Sequence, residues 1–314
     1  MLETDESLLA RIDIRAVEQR ERTRQSRQRL VALAFMAPAL ILVVGVLLVP
    51  AAINFYLSFM NWRKFTGIDQ FAGLANYVDL GSSPYFFDAL INTTIWVAAS
   101  LVFPILIGLG LALLFRGVRF EETFKNIVFL PRILAPTAVA VLWFYVYAPH
   151  GLLNRIVGFF TDGLIDVGWL YDQATVTPAI IVTFVWQTVG LVMVLLLLGL
   201  NAIPKDPIEA ARIDGATPWH TFRAIILPLL TPTLLVVTIL CVLAGFTVFD
   251  LLWVMGAGYP GLRTLSLAIF MYFEAFQKGG WSFGSATAVI IGLVVLSVTW
   301  LQAWLQHRVE RTLK

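Results

Sequence analysis

Long apolar runs and short polar breaks alternate along this chain. Stretches of about 20 or more mostly apolar residues, enough to cross a bilayer as a helix, fall at 30–59, 89–115, 127–147, 178–200, 225–249 and 284–304. The first follows an arginine-rich stretch (Arg20, Arg22, Arg24, Arg27, Arg29) that mimics the front of a signal peptide. Its apolar run is far longer than the roughly 7–15 residues of a signal core, so the pattern predicts an uncleaved first span. Residues 1–29 are polar, rich in Arg and Glu and largely without apolar rhythm, and predict a solvated or surface-lying cytoplasmic tail.

Lysine and arginine set the direction of threading. With both termini in the cytoplasm, sixteen of them lie inside and five (Arg63, Lys64, Arg155, Arg263, Lys278) outside, with Arg132 near the inner end of span three. Inner loops carry the excess of positive charge in membrane proteins. The predicted fold class is therefore an all-α membrane protein with six transmembrane helices, N-in/C-in. Outside, the sequence GLLNRIVGFF repeats apolar residues at helical spacing and predicts a short helix on the outer face. Trp62, Trp169 and Trp281 fall near span ends, where indole rings favour the interface.

Composition agrees and narrows the chemistry. The chain of 314 residues is 59% hydrophobic and 13% charged, against about 25% charged in soluble domains. A mean hydropathy of +0.82 leaves lipid as the solvent for so much apolar surface. A net charge of +2 is too small to suggest nucleic acid as a partner. One cysteine, Cys241, allows neither an intrachain disulfide nor a Cys-based metal cluster. His150, His220 and His307 are far apart, and no HExxH, GxxxxGK[ST] or credible serine–histidine–acid arrangement occurs. No catalytic residue, metal site or cofactor site of its own is expected.

The polar break at 201–224 stands apart. Asp206 can cap a first helix, Pro207 suits its first turn, and Glu209 sits where a capping box wants its acid. Ala210 and Ala211 keep that helix slim, and Gly215 can end it in a left-handed conformation. Thr217 and Pro218 repeat the start for a second helix, on which Trp219, Phe222, Ile225 and Ile226 share one face. Pro228 and Pro232 mark a bend into span five. The segment reads as a helix–turn–helix at the inner face, and an amphipathic loop packed on its own protein fits the periodicity equally well. A DNA-binding role is set aside, because the basic cluster that contacts phosphates is absent.

Glu209-Ala210-Ala211, Asp214-Gly215-Ala216, Phe222 and Ile226-Leu227-Pro228 closely resemble the "EAA" motif of ABC importer permeases. The chain also resembles the carbohydrate-uptake branch at Phe71-Ala-Gly-Leu-Ala-Asn-Tyr77, Asn92-Thr93, Leu130-Pro131 with Pro136, Gly151-Leu-Leu-Asn154, Trp186 and Phe249-Asp250. It departs at Met255-Gly-Ala-Gly-Tyr-Pro260, where that branch tends to carry Thr-Gly-Gly-Gly-Pro. The resemblance covers 30–314 as a six-span permease domain and implies a cytoplasmic coupling segment over 203–228.

The resemblance implies partners: a second homologous permease, two ATP-binding subunits holding ATP and Mg, and an extracytoplasmic solute-binding protein, in a bacterial cytoplasmic membrane. Glu209 would anchor the coupling segment, Ala210, Ala211 and Gly215 would permit close docking, and Trp219 and Phe222 would pack under the spans. A sugar path needs hydrogen-bonding groups and aromatic faces. Trp186, Gln187 and Thr188 on span four and Phe246, Thr247 and Asp250 on span five offer both. Helix packing is the competing reading, with Gln187 bonding a neighbouring helix. The same machine could move a polyol or glycerol-phosphate diester. An ATP-independent channel or secondary transporter would need inverted repeats or buried charges, which the sequence lacks.

Overall fold

A computed structural model describes residues 28, 31, 34–65, 67, 68, 70–256, 261 and 264–312. The predicted tail, Arg263 and positions 257–260 of the departing loop lie outside the described residues, apart from Gln28 in the tail. Among the described residues the secondary structure is helical, except for an isolated bridge between Met60 and Phe71.

The helices, in chain order, are α1 (Ala34–Leu57), α2 (Ala75–Gly81), α3 (Pro84–Phe115), α4 (Glu121–Ile133), α5 (Pro136–Val146) and α6 (Leu152–Phe160). There follow α7 (Val176–Ala202), α8 (Asp206–Ile213) and α9, which joins Pro218–Thr221, Phe222–Ile226 and Leu227–Phe246 without a gap. The chain ends with α10 (Asp250–Met255), α11 (Leu267–Gln277) and α12 (Trp281–Thr312). Among the described residues, five helical stretches are long and apolar enough to cross a membrane: α1, α3, α7, the α9–α10 run and the first 25 residues of α12. The α4–α5 pair, bent by 96° at its break, makes six when counted as one span.

Residues to Tyr56 form one compact unit and those from Leu57 another. The first holds nearly all of α1, where a π-turn at Val43–Leu48 sends the Val49 N–H to the carbonyl of Val44. The second π-turn, Phe222–Ile226, likewise sends the Leu227 N–H to Phe222. Each ends two residues before a proline, Pro50 or Pro228. A proline has no N–H to give and its ring crowds the preceding turn, so a wider turn there keeps the helix running. The expected bend at Pro228 and Pro232 is thus absorbed inside one continuous helix.

Within the larger unit, apolar side chains gather in two layers. One, at the end that the Lys/Arg pattern assigns to the outside, is built on Trp96, Tyr147, Ile180, Leu252 and Phe270. The other, toward the cytoplasm, is built on Met193, Leu196, Leu200, Leu230 and Val237. Small residues bring the spans together, as they must where lipid supplies no hydrophobic drive. At Gly245, an added Cβ would lie 2.8 Å from the Val97 Cα. Beside it, Ser100 Oγ donates to the Cys241 carbonyl at 2.9 Å, tying α3 to α9.

The bend in span three has a local cause. The residue before a proline is driven out of the α region, and Ala135 before Pro136 sits at ψ 139° with Leu134 at ψ 140°. Such a break frees backbone carbonyls, which are costly in a membrane unless another group satisfies them. Gln187 does so: its side chain is buried, 4% exposed, and Nε2 donates to the Leu134 carbonyl at 3.1 Å. One turn on, a Cβ at Gly190 would collide with the Val128 carbonyl and lie 2.7 Å from the Phe129 Cα. Gly190 lets α4 press against α7 while Gln187 closes the broken backbone beside it.

Candidate functional site

The inner corner is built as two caps around a glycine. The Ala216 N–H bonds the Ala211 carbonyl at 2.9 Å and the Gly215 N–H bonds that of Arg212 at 3.3 Å. This is the paired closure of a helix end whose next residue is left-handed, and Gly215 has φ +75°. Thr217 then caps α9, its Oγ1 accepting from the His220 N–H at 3.3 Å, with Pro218 in the first turn. The start of α8 differs from expectation: Lys205 holds the cap position, Asp206 is the first helical residue, and no side-chain cap bond forms. Asp206 and Glu209 therefore act on the first turn as charges, favourable near a helix N-terminus, rather than as caps.

The corner is anchored from one side only. Ile208 and Ile226 pack against the inner apolar layer, which includes buried Ile203. Glu209, Ala210, Asp214, Gly215 and Pro228 are exposed, while Ala211, Ala216, Phe222 and Leu227 are half-buried. Ile213 is 86% exposed and Trp219 68%. The expectation that Trp219 packs under the spans is corrected: it stacks on Phe222, ring centres 5.7 Å apart at 28°, and points its free area outward. Large apolar side chains left open beside small residues make a surface suited to a partner.

The six residues proposed for a sugar path divide. On α7, Gln187 and Thr188 are buried and Trp186 is half-buried, set edge-on to Trp143 at 5.5 Å. Gln187 spends its amide on the span-three break. On the other helix, Phe246 closes α9, and the chain breaks at 247–249 before α10. Thr247 and Asp250 are exposed at this break, and Thr247 Oγ1 donates to its own helix at Leu243, 2.8 Å away. Both groups border the outer apolar layer, which includes Trp186 and Phe249.

Three asparagines outside these sets clamp the outer end. Asn154 donates to the carbonyls of Pro149 and Val167 at 3.1 and 3.0 Å and accepts from the Trp169 indole at 2.9 Å. Asn76 donates to the carbonyls of Ser58 and Met60 at 2.9 and 2.8 Å, and Tyr77 shares a 2.7 Å bond with Ser58 Oγ. Asn92 donates to Leu265 at 3.1 Å, and Thr93 accepts from the Leu267 N–H at 2.9 Å, closing the start of α11. Sequence reading picked out these residues only as points of resemblance. Their backbone partners lie as far as 174 positions away, which nothing local signals.

Six candidate spans, five of them in the larger unit, and an exposed, glycine-ended corner between spans four and five define the class: a polytopic membrane component with a partner surface on its inner side. Residues 104–311 match the family described as the binding-protein-dependent transport system inner membrane component, and the chain belongs to that family. It is 37% identical over 267 residues to a probable ABC transporter permease of Pyrococcus horikoshii, covering 84% of this chain and 91% of that protein. It is 32% identical over 264 residues to the trehalose/maltose transport system permease MalF of Thermococcus litoralis, covering 83% and 88%. The fold matches the crystal structure of a bacterial ABC transporter that imports the acidic polysaccharide alginate, with a TM-score of 0.79, 23% identity and coverage of 91% and 98%. The chain is an ABC importer permease.

Proposed function

We propose that this chain forms half of the transmembrane path of an ATP-driven importer for a sugar or sugar derivative, in a bacterial cytoplasmic membrane. The observation that carries the coupling role is the inner corner: Ile213 and Trp219 stand open beside Ala210 and Gly215, on a scaffold tied into the inner core. An ATP-binding subunit is the partner for that surface. On this reading ATP and Mg belong to that subunit, and hydrolysis is its task. A second permease completes the path, two ATP-binding subunits drive it, and a solute-binding protein delivers cargo outside. Differential docking of the ATPase to two states of the bundle would shift the path between its two openings.

Likeness to a trehalose/maltose permease supports a sugar cargo, and Trp186, Thr247 and Asp250 supply the aromatic and polar groups such a cargo needs. The test is purification of the chain from native membranes in mild detergent, followed by reconstitution with whatever accompanies it. Recovery of a second permease and an ATPase, with ATP-dependent uptake of maltose, trehalose or xylose, is the expected result. Recovery of the chain alone, moving solute without ATP, overturns the reading.

A further inference from the structure

The outer face holds a cavity of about 300 Å³, lined by both polar and apolar groups, that the coupling and path residues leave unused. It lies between the loop before α2, the end of α11 and the start of α12. Asn61, Asp79, Glu274 and Lys278 contribute polar groups, and Trp62 contributes an aromatic residue. Its frame is fixed. The Trp62 N–H donates to Ser282 Oγ at 2.9 Å, and the Ser282 N–H donates back to the Trp62 carbonyl at 3.2 Å. Gly279, at φ +72°, carries the chain around the corner where a Cβ would crowd Lys64. Glu274 is held by Lys278 at 2.6 Å, its side chain 15% exposed.

Aromatic rings lead away from this cavity in an unbroken series. Trp62 lies 5.7 Å from Trp281, Trp281 lies 5.3 Å from Phe276, and Phe276 lies 5.2 Å from Tyr272. Tyr272 lies 5.1 Å from Trp253 and 5.2 Å from Phe249. None of the six is fully buried. The series ends at the helix break that holds Thr247 and Asp250. Rings that only fill a core are covered on all sides. Each of these six keeps open area of its own.

We propose that the outer cavity is a saccharide subsite and that the ladder Trp62–Trp281–Phe276–Tyr272–Trp253–Phe249 passes a pyranose from it toward the break in span five. A pyranose fits both parts. Its hydroxyls match planar amides and carboxylates, and its C–H face lies against an aromatic ring. The cavity is at the small end of ligand sites, enough for one sugar ring. Weak, repeated stacking holds a sugar at each step without trapping it. This inference rests on the sugar cargo proposed above.

The test uses the complete importer in lipid nanodiscs, without its binding protein, and saturation-transfer NMR with maltose, trehalose and xylose at millimolar concentration. Saturation is expected on the ring C–H protons of at least one sugar. The Tyr272→Leu/Phe276→Leu pair should weaken that binding about tenfold, the order expected when stacked rings are lost. Asp79→Ala should weaken it severalfold, and Tyr272→Phe/Phe276→Tyr, which keeps the rings, should restore the wild-type signal. Equal saturation in the leucine pair, or altered protein yield with unchanged saturation, overturns the ladder and leaves the rings as an interface belt. ATP-driven uptake by the wild-type importer with its binding protein is measured beside it. Uptake with no ladder effect sinks the ladder alone, whereas no uptake of any of the three sugars sinks the cargo reading and the ladder with it.

Discussion

The outer end of the molecule and its inner corner handle polar groups in opposite ways. Outside, Asn154, Asn76 and Asn92 turn their amides onto backbone groups of the same chain, and these three positions are closed by their own hydrogen bonds. Inside, Glu209 and Asp214 are exposed, and Ile213 and Trp219 show apolar area to the surroundings. The first arrangement is what a self-contained fold requires of buried polar groups. The second leaves a surface unfinished. Residues that look alike as family motifs thus serve the chain itself at one end and, on the proposed function, another chain at the other.

Substitutions can break this contrast, and their expected cost to the purified chain falls in order. Asn154→Leu strips the acceptor from the Trp169 indole and the donors from two carbonyls, and should destabilise the fold by about 3 kcal/mol. Thermal unfolding in detergent would show it, and an unchanged midpoint would remove the clamp. Gln187→Leu leaves the Leu134 carbonyl unsatisfied and should cost about 1–2 kcal/mol. If cargo affinity changes in that variant with stability intact, Gln187 belongs to the path rather than to the bend.

Gly215→Val forces a β-branched residue into the left-handed region, a strain of about 1–2 kcal/mol confined to the corner. The chain should still insert, while ATP hydrolysis by the full importer ceases to drive uptake; full transport would deny the corner its coupling role. Trp219→Ala should move stability by less than about 0.5 kcal/mol and yet lower recovery of the ATPase in co-purification. Loss of stability without loss of the ATPase would reverse the contrast drawn above. Thr247→Leu is the mildest, expected to change cargo kinetics alone.

The inner corner was legible because its signals are local. Gly215 closes α8, Thr217 and Pro218 start α9, and all lie within a few residues of what they control. Span three was legible in outline, Pro136 held the reason for its bend, and a Gln187 bond to a neighbouring helix was one of two readings, but the angle and the partner carbonyl were not legible. Gln187 meets Leu134 across 53 positions, and Gly190 three residues on shows its purpose only once α4 lies against it. The outer clamps were hidden for the same reason. An asparagine in a loop has the same local sequence whether it faces water or three backbone groups. Asp206 misled because its cap chemistry is right and its position is one residue late.

One feature of α9 bears on how force would travel. From Pro218 to Phe246 the helix never stops, since the π-turn before Pro228 keeps it whole. At about 1.5 Å per residue it is a rod of roughly 40 Å, with its foot at Trp219 and its head beside Thr247. A tilt of about 10° around its middle swings each end by roughly 3–4 Å. On the proposed function, a shove at the cytoplasmic foot would reach the break in span five as the recoil of a lever, with no loop between to soften it.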